Sequence, residues 1–147
     1  MTFHFPYMHI LDLKEKEKDQ ALSELGMITR KKEAAIKEHR SFEAKRNEFL
    51  QQTETSRKTS IADIQQRNEY LYYLDQKLAE SEDRIVLMDQ EIEDKQAELL
   101  EKQQEEKTWS HLRDKSFEKY VQKQKKIEQD LMDEMAAIRY FHQRLSM

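Results

Sequence analysis

The side chains able to do chemistry are five histidines, His4, His9, His39, His111 and His142, and thirty carboxylates. Two imidazoles one helical turn apart, at i and i+4, could grip a divalent metal. None of the five stands at that spacing, and there is no cysteine to complete a ligand set. No metal site is expected. The chain has one glycine, Gly26, and one proline, Pro6. It therefore has no glycine-rich loop to cradle a phosphate, and no nucleotide or other cofactor is expected. Carboxylates act as general acids or bases only where a concave, desolvated pocket shifts their pKa values. The elements read below offer no such pocket. Catalytic residues: none expected, nor a small-molecule substrate; the chain is read as a non-enzyme. The basic run Lys119, Lys123, Lys125 and Lys126 is interleaved with Glu118, Glu128 and Asp130, as on a solvated helix face. With a formal net charge of −4, nucleic acid is not an expected partner.

Such residues must be positioned by helices. Of 147 residues, 38% are charged and 37% hydrophobic, and turn formers are almost absent. The longest apolar stretches, Leu71 to Leu74 and Ile85 to Met88, fall far short of the ~20 residues of a membrane span. The opening run Met1-Thr2-Phe3-His4-Phe5-Pro6 lacks the regions of a signal peptide. A soluble protein without direct membrane insertion is expected.

In the second half, Ile64, Leu71, Leu78, Ile85, Ile92 and Leu99 recur every seven residues, with Leu74, Met88 and Trp109 three residues after such positions. This is a heptad seam. The first half carries a weaker one. Leu11, Lys18, Leu25, Lys32, His39 and Arg46 take one seam position, and Lys14, Ala21, Ile28, Ala35, Phe42 and Phe49 the other. Folding the chain back antiparallel, with facing residue numbers summing to 120, brings the two seams together. Phe49 then meets Leu71, Phe42 meets Leu78, Ala35 meets Ile85, Ile28 meets Ile92 and Ala21 meets Leu99. His39 faces Ser81 as a structural residue, Leu11 faces Trp109, and Lys14 falls beside Glu106. The layer of Lys18 and Lys102 is a mismatch. Residues 30–58 hold nine basic and five acidic residues, and residues 62–90 hold three and seven, so the flanks are complementary. The turn falls near residue 60, where Ser60 suits an N-cap with Asp63 three residues on.

The expected fold is all-α: two long helices forming an antiparallel coiled-coil hairpin with a longer, overhanging C-terminal helix. A single domain, 1–147, is expected, with helix 1 over 6–57, a hinge at 58–60 and helix 2 over 61–144. Pro6 is placed in the first turn of helix 1, and Gly26 on its solvent side.

Two features lie outside this hairpin. Pairing is expected to run out near Phe5 and Lys115. Helix 2 continues with Phe117, Tyr120, Val121, Ile127 and Leu131, then Met135, Ile138, Phe141 and Leu145, at spacings of three and four. This apolar face is either a docking surface or a dimerisation seam. Near the hinge, Tyr70, Tyr72 and Tyr73 surround the seam residues Leu71 and Leu74. Tyr72 and Tyr73 either form an interface or lie flat over neighbouring aliphatic stems.

The run Ile10-Leu11-Asp12-Leu13-Lys14-Glu15-Lys16-Glu17-Lys18-Asp19-Gln20 resembles the opening of the FliJ family of flagellar export proteins. Asn47-Glu48-Phe49, the Thr59-Ser60-Ile61 hinge and the pattern of Tyr70, Leu71, Leu74 and Leu78 are also similar. The resemblance implies a non-enzymatic adaptor, similar to a rotary-ATPase stalk, in the flagellar type III export apparatus. It would couple the hexameric export ATPase to the membrane export-gate protein and handle export chaperones. Its location would be cytoplasmic, peripheral at the inner face of the cell membrane. The gate would be met at the hinge end by Phe42, Phe49, Tyr70 and Leu74, with Tyr72 and Tyr73 beside them. The ATPase ring would take the C-terminal face from Phe117 to Leu145. The alternative function is a structural coiled-coil spacer or dimerisation protein.

Overall fold

The computed structural model describes residues 2–54 and 60–146. Two helices account for nearly all of them: α1, Met8–Glu54, and α2, Ile61–Leu145. They pack against each other, so the fold is the all-α hairpin expected. Helix formers dominate both elements, and no interior proline interrupts either.

The N-terminal boundary differs from expectation. α1 begins at Met8, and Pro6 lies in the turn ahead of it rather than in its first turn. The Phe5 carbonyl accepts from the Met8 N–H at 3.2 Å, and the Tyr7 carbonyl accepts from Ile10 and Leu11, each at 3.1 Å. The residue preceding a proline avoids helical backbone angles, so Phe5 cannot be helical. It is instead buried. α1 ends at Glu54, and the rest of the expected helix 1 and all of the expected hinge except Ser60 lie outside the described residues.

α2 begins at Ile61. The Asp63 N–H donates to Ser60 Oγ at 3.2 Å, and the Ser60 N–H donates to Asp63 Oδ2 at 3.3 Å. This reciprocal pair satisfies two backbone donors at the helix start. His142 and Arg144 occupy the last turn, where cations oppose the dipole's negative end.

The chain resolves into two compact units. One comprises Asp19–Glu101. Its helical segments run antiparallel, with partners whose numbers sum to between 119 and 122: Glu24 with Lys95, Lys32 with Asp89, Glu38 with Arg84, His39 with Ser81 and Arg46 with Asp75. Ala21, Ala35, Leu74 and Ser81 are buried, and Ile28, Phe42, Phe49, Leu71, Leu78, Ile85, Ile92 and Leu99 are half-buried. That is the pattern of a two-helix seam, open to water on both flanks.

The other unit joins the residues up to Lys18 with those from Lys102 onward. Leu11 is fully sealed there and Trp109 half-buried. The tilted rings of Tyr7 and Trp109 lie 5.9 Å apart. Lys14 donates to Glu105 at 2.9 Å rather than to the expected Glu106, which Lys18 takes at 2.9 Å. The mismatch of Lys18 and Lys102 is thereby resolved. Each ammonium swings off the shared layer to a neighbouring carboxylate, Lys102 reaching Glu17 at 3.5 Å. A four-carbon stem allows this while staying packed.

Candidate functional site

The hinge-end aromatics belong to the unit Asp19–Glu101. Phe49 and Tyr70 pack edge to face, 4.7 Å between centroids. Tyr70 and Tyr73 are stacked at 6.4 Å. The ammonium of Lys77 lies 5.8 Å from the Tyr73 ring and that of Lys45 5.4 Å from the Phe42 ring. Tyr72 stands apart, 65% exposed, its hydroxyl accepting from Gln76 Nε2 at 2.9 Å. Leu74 is 1% exposed. It supports the cluster from within the seam and offers no surface of its own. The two lysines are the part that pattern reading missed. Each stands three or four residues from the ring it covers, a spacing that marks helix neighbours.

The C-terminal face belongs to the other unit. Its first residues are not unpartnered, as the expected end of pairing near Phe5 and Lys115 would have them. Phe3 meets Phe117 edge to face at 5.3 Å and Tyr120 at 5.4 Å. Pairing thus reaches Phe3, whose number and that of Phe117 sum to 120. The seam register itself pointed to this contact. Val121 and Gln124 are half-buried, and every residue from Lys125 to Ser146 is exposed. Ile127, Leu131, Met135, Ile138, Phe141 and Leu145 all stand open to water. So do Met132 and Tyr140, which with Ala136 form a second apolar line at i, i+4 and i+8. A shallow groove runs among Met132, Met135, Ala136, Arg139, Tyr140 and Gln143.

Electrostatics shape the paired regions. The Lys14 hydrogen bond holds the Glu105 carboxyl below the usual carboxylate range, and Glu105 raises Lys14 in return. Lys95 does the same to Glu24, and Glu24 raises Lys95. One oxygen of Glu17 is closed off from water and makes no hydrogen bond. The ammoniums of Lys14 at 3.6 Å and Lys102 at 3.5 Å answer its charge. Among the described residues there is no cluster of three metal-ligating side chains. No described helix is long and apolar enough to cross a membrane.

Two long helices paired along a heptad seam define a helical hairpin of the coiled-coil class. The chain belongs to the FliJ family of flagellar export components: the family described as flagellar FliJ protein matches residues 3–145. It is similar to the flagellar FliJ protein of Bacillus subtilis (strain 168), 27% identical over 140 residues that span 92% of this chain and 94% of that protein. No solved structure matches the chain.

Proposed function

We propose that the chain acts as a non-enzymatic stalk and adaptor in flagellar protein export, coupling the hexameric export ATPase to the membrane export gate and handling export chaperones. It works in the cytoplasm, held at the inner face of the membrane through the export apparatus. The observation that supports this reading is the exposed apolar face from Ile127 to Leu145 on a helix that has left its partner behind. Burying one Leu or Phe side chain is worth ~1.5–3 kcal/mol, so a ring opening lined with apolar groups would gain much from taking up this face. Lys119, Lys123, Lys125 and Lys126 would meet acidic loops there. The Phe49, Tyr70 and Tyr73 cluster, with Tyr72 and Phe42 beside it, is the surface assigned to the gate.

The test is ATPase stimulation by the purified protein. Deleting residues 121–147 should abolish stimulation while the rest stays helical by circular dichroism. Full stimulation by the truncated chain would overturn the stalk assignment. Separately, replacing Tyr72 and Tyr73 with serine should weaken binding to the gate protein. Unchanged binding would remove them from the interface.

A further inference from the structure

The exposed end of α2 carries a heptad seam that continues one position of the hairpin seam and replaces the other. Phe117, Gln124, Leu131, Ile138 and Leu145 recur every seven residues, and so do Tyr120, Ile127, Glu134 and Phe141. Together they alternate by three and four without a break, the spacing of knobs that need the holes of a second helix. Only Gln124 and Glu134 interrupt the apolar run.

We propose that this seam pairs antiparallel with the same segment of a second copy of the chain, facing residues summing to 258. In that register Ile127 meets Leu131 of the second copy, Tyr120 meets Ile138, and Phe117 meets Phe141. Each contact occurs twice by symmetry. The two polar interruptions fall on one layer, Gln124 opposite Glu134, so the amide can donate to the carboxylate and no apolar side chain faces either. A parallel pair would set Glu134 against its own copy inside the seam, with two like charges desolvated together. Orientation therefore follows from the position of one carboxylate.

The apolar pair of Val121 and Met135 extends the buried strip on one flank. On either side of the dyad Glu128 and Asp130 approach their own copies, with Lys125 and Lys126 close by on the same helix. The contact, Phe117 to Phe141 on each copy, is ~37 Å long at 1.5 Å per residue. Phe3 already covers one edge of Phe117 and Tyr120, and Phe141 of the second copy would enlarge that aromatic cluster. Self-pairing stands independently of the ATPase assignment. If both hold, the dimer and the ring compete for one face.

The full-length chain tests this in two measurements. Sedimentation equilibrium at ~100 µM, well above the ~1 µM constant of a modest interface, should show dimer, and Leu131→Glu should weaken it at least tenfold with helicity retained. Variants I127C and L131C, each carrying the chain's only cysteine, should form a disulfide-linked dimer when mixed and far less when oxidised alone, because only the antiparallel register puts those positions within disulfide range. A chain that stays monomeric overturns the proposal. So does cross-linking as strong within each single variant, which would mean a parallel pair. Neither readout involves the ATPase, so failure here leaves the stalk assignment to its own test.

Discussion

His39 Nδ1 lies 2.6 Å from Ser81 Oγ, joining α1 to α2 through one polar layer inside an apolar seam. Ser81 is among the most deeply buried residues of its unit, and its hydroxyl also contacts the Leu78 carbonyl at 3.0 Å. If the serine proton goes to Leu78, the imidazole must be the donor to Ser81. Its other nitrogen is 3.0 Å from Glu43. Replacing Ser81 with alanine then leaves a half-buried ring nitrogen without its partner, at a cost of ~1–3 kcal/mol. Replacing both residues, His39→Leu with Ser81→Ala, should recover most of that loss, because an apolar pair leaves nothing unsatisfied. Urea unfolding of the two single variants and the double variant measures the coupling. Strict additivity would show that the layer contributes nothing as a pair.

The register predicts a cross-link within one chain. Phe42 and Leu78 are both half-buried seam residues of the same unit, on facing segments. Cysteines placed at both positions should form an intrachain disulfide on mild oxidation, with faster migration on non-reducing gels. Disulfides found only between chains would contradict the hairpin.

Acid should weaken both ion-paired regions. The carboxyls of Glu24 and Glu105 are held below their ordinary value of 4.5 by hydrogen bonds from Lys95 and Lys14. A depressed carboxylate stabilises the fold at neutral pH, and that contribution fades as pH falls below the ordinary value and through the folded one. The raised lysines, Lys14 and Lys95, lose theirs only above their ordinary 10.5. The urea midpoint should therefore drop as the pH falls below the ordinary carboxyl value of 4.5, and Glu24→Gln with Glu105→Gln should flatten that part of the drop. These groups are exposed, so added salt should shrink the effect. A profile identical to that of the parent would dismiss the pairs as energetic contributors.

Gly26 is the simplest place to gain stability. It lies inside α1, and a Cβ there would meet no atom within 4 Å. Gly26→Ala should raise stability by ~0.5–1 kcal/mol through helix propensity and a less flexible unfolded chain. Thermal melting by circular dichroism checks it, and a lower midpoint would indicate a role for the bare backbone.

The seam was legible because heptad spacing is a property of residue type and number alone. The cap was legible because Ser60 and Asp63 stand at the one spacing that lets each satisfy the other. The N-terminal turn was not, because the limit that Pro6 imposes on Phe5 opposed its favoured place at a helix start, and burial of Phe5 decided the matter. Lys18 and Lys102 looked like a clash because a layer diagram places Cβ atoms, whereas a lysine's charge sits four bonds further out. Leu74 was grouped with the surface aromatics through family likeness, but its seam position already assigned it to the interior. The ring contacts of Lys45 and Lys77 are not legible there, because ring-facing cations leave no mark in the hydrophobic pattern.

From Lys125 to Ser146 no side chain is withdrawn from water. A helix held there by its own local bonds is marginal, and its amide protons should exchange far faster than those around Ile85 and Ile92. Any partner that grips it must first suppress its fraying. Part of the contact free energy then offsets lost chain entropy, which lowers affinity for a given buried area and shortens the lifetime of the complex. The length of α2 beyond its partner therefore sets a residence time as well as a reach.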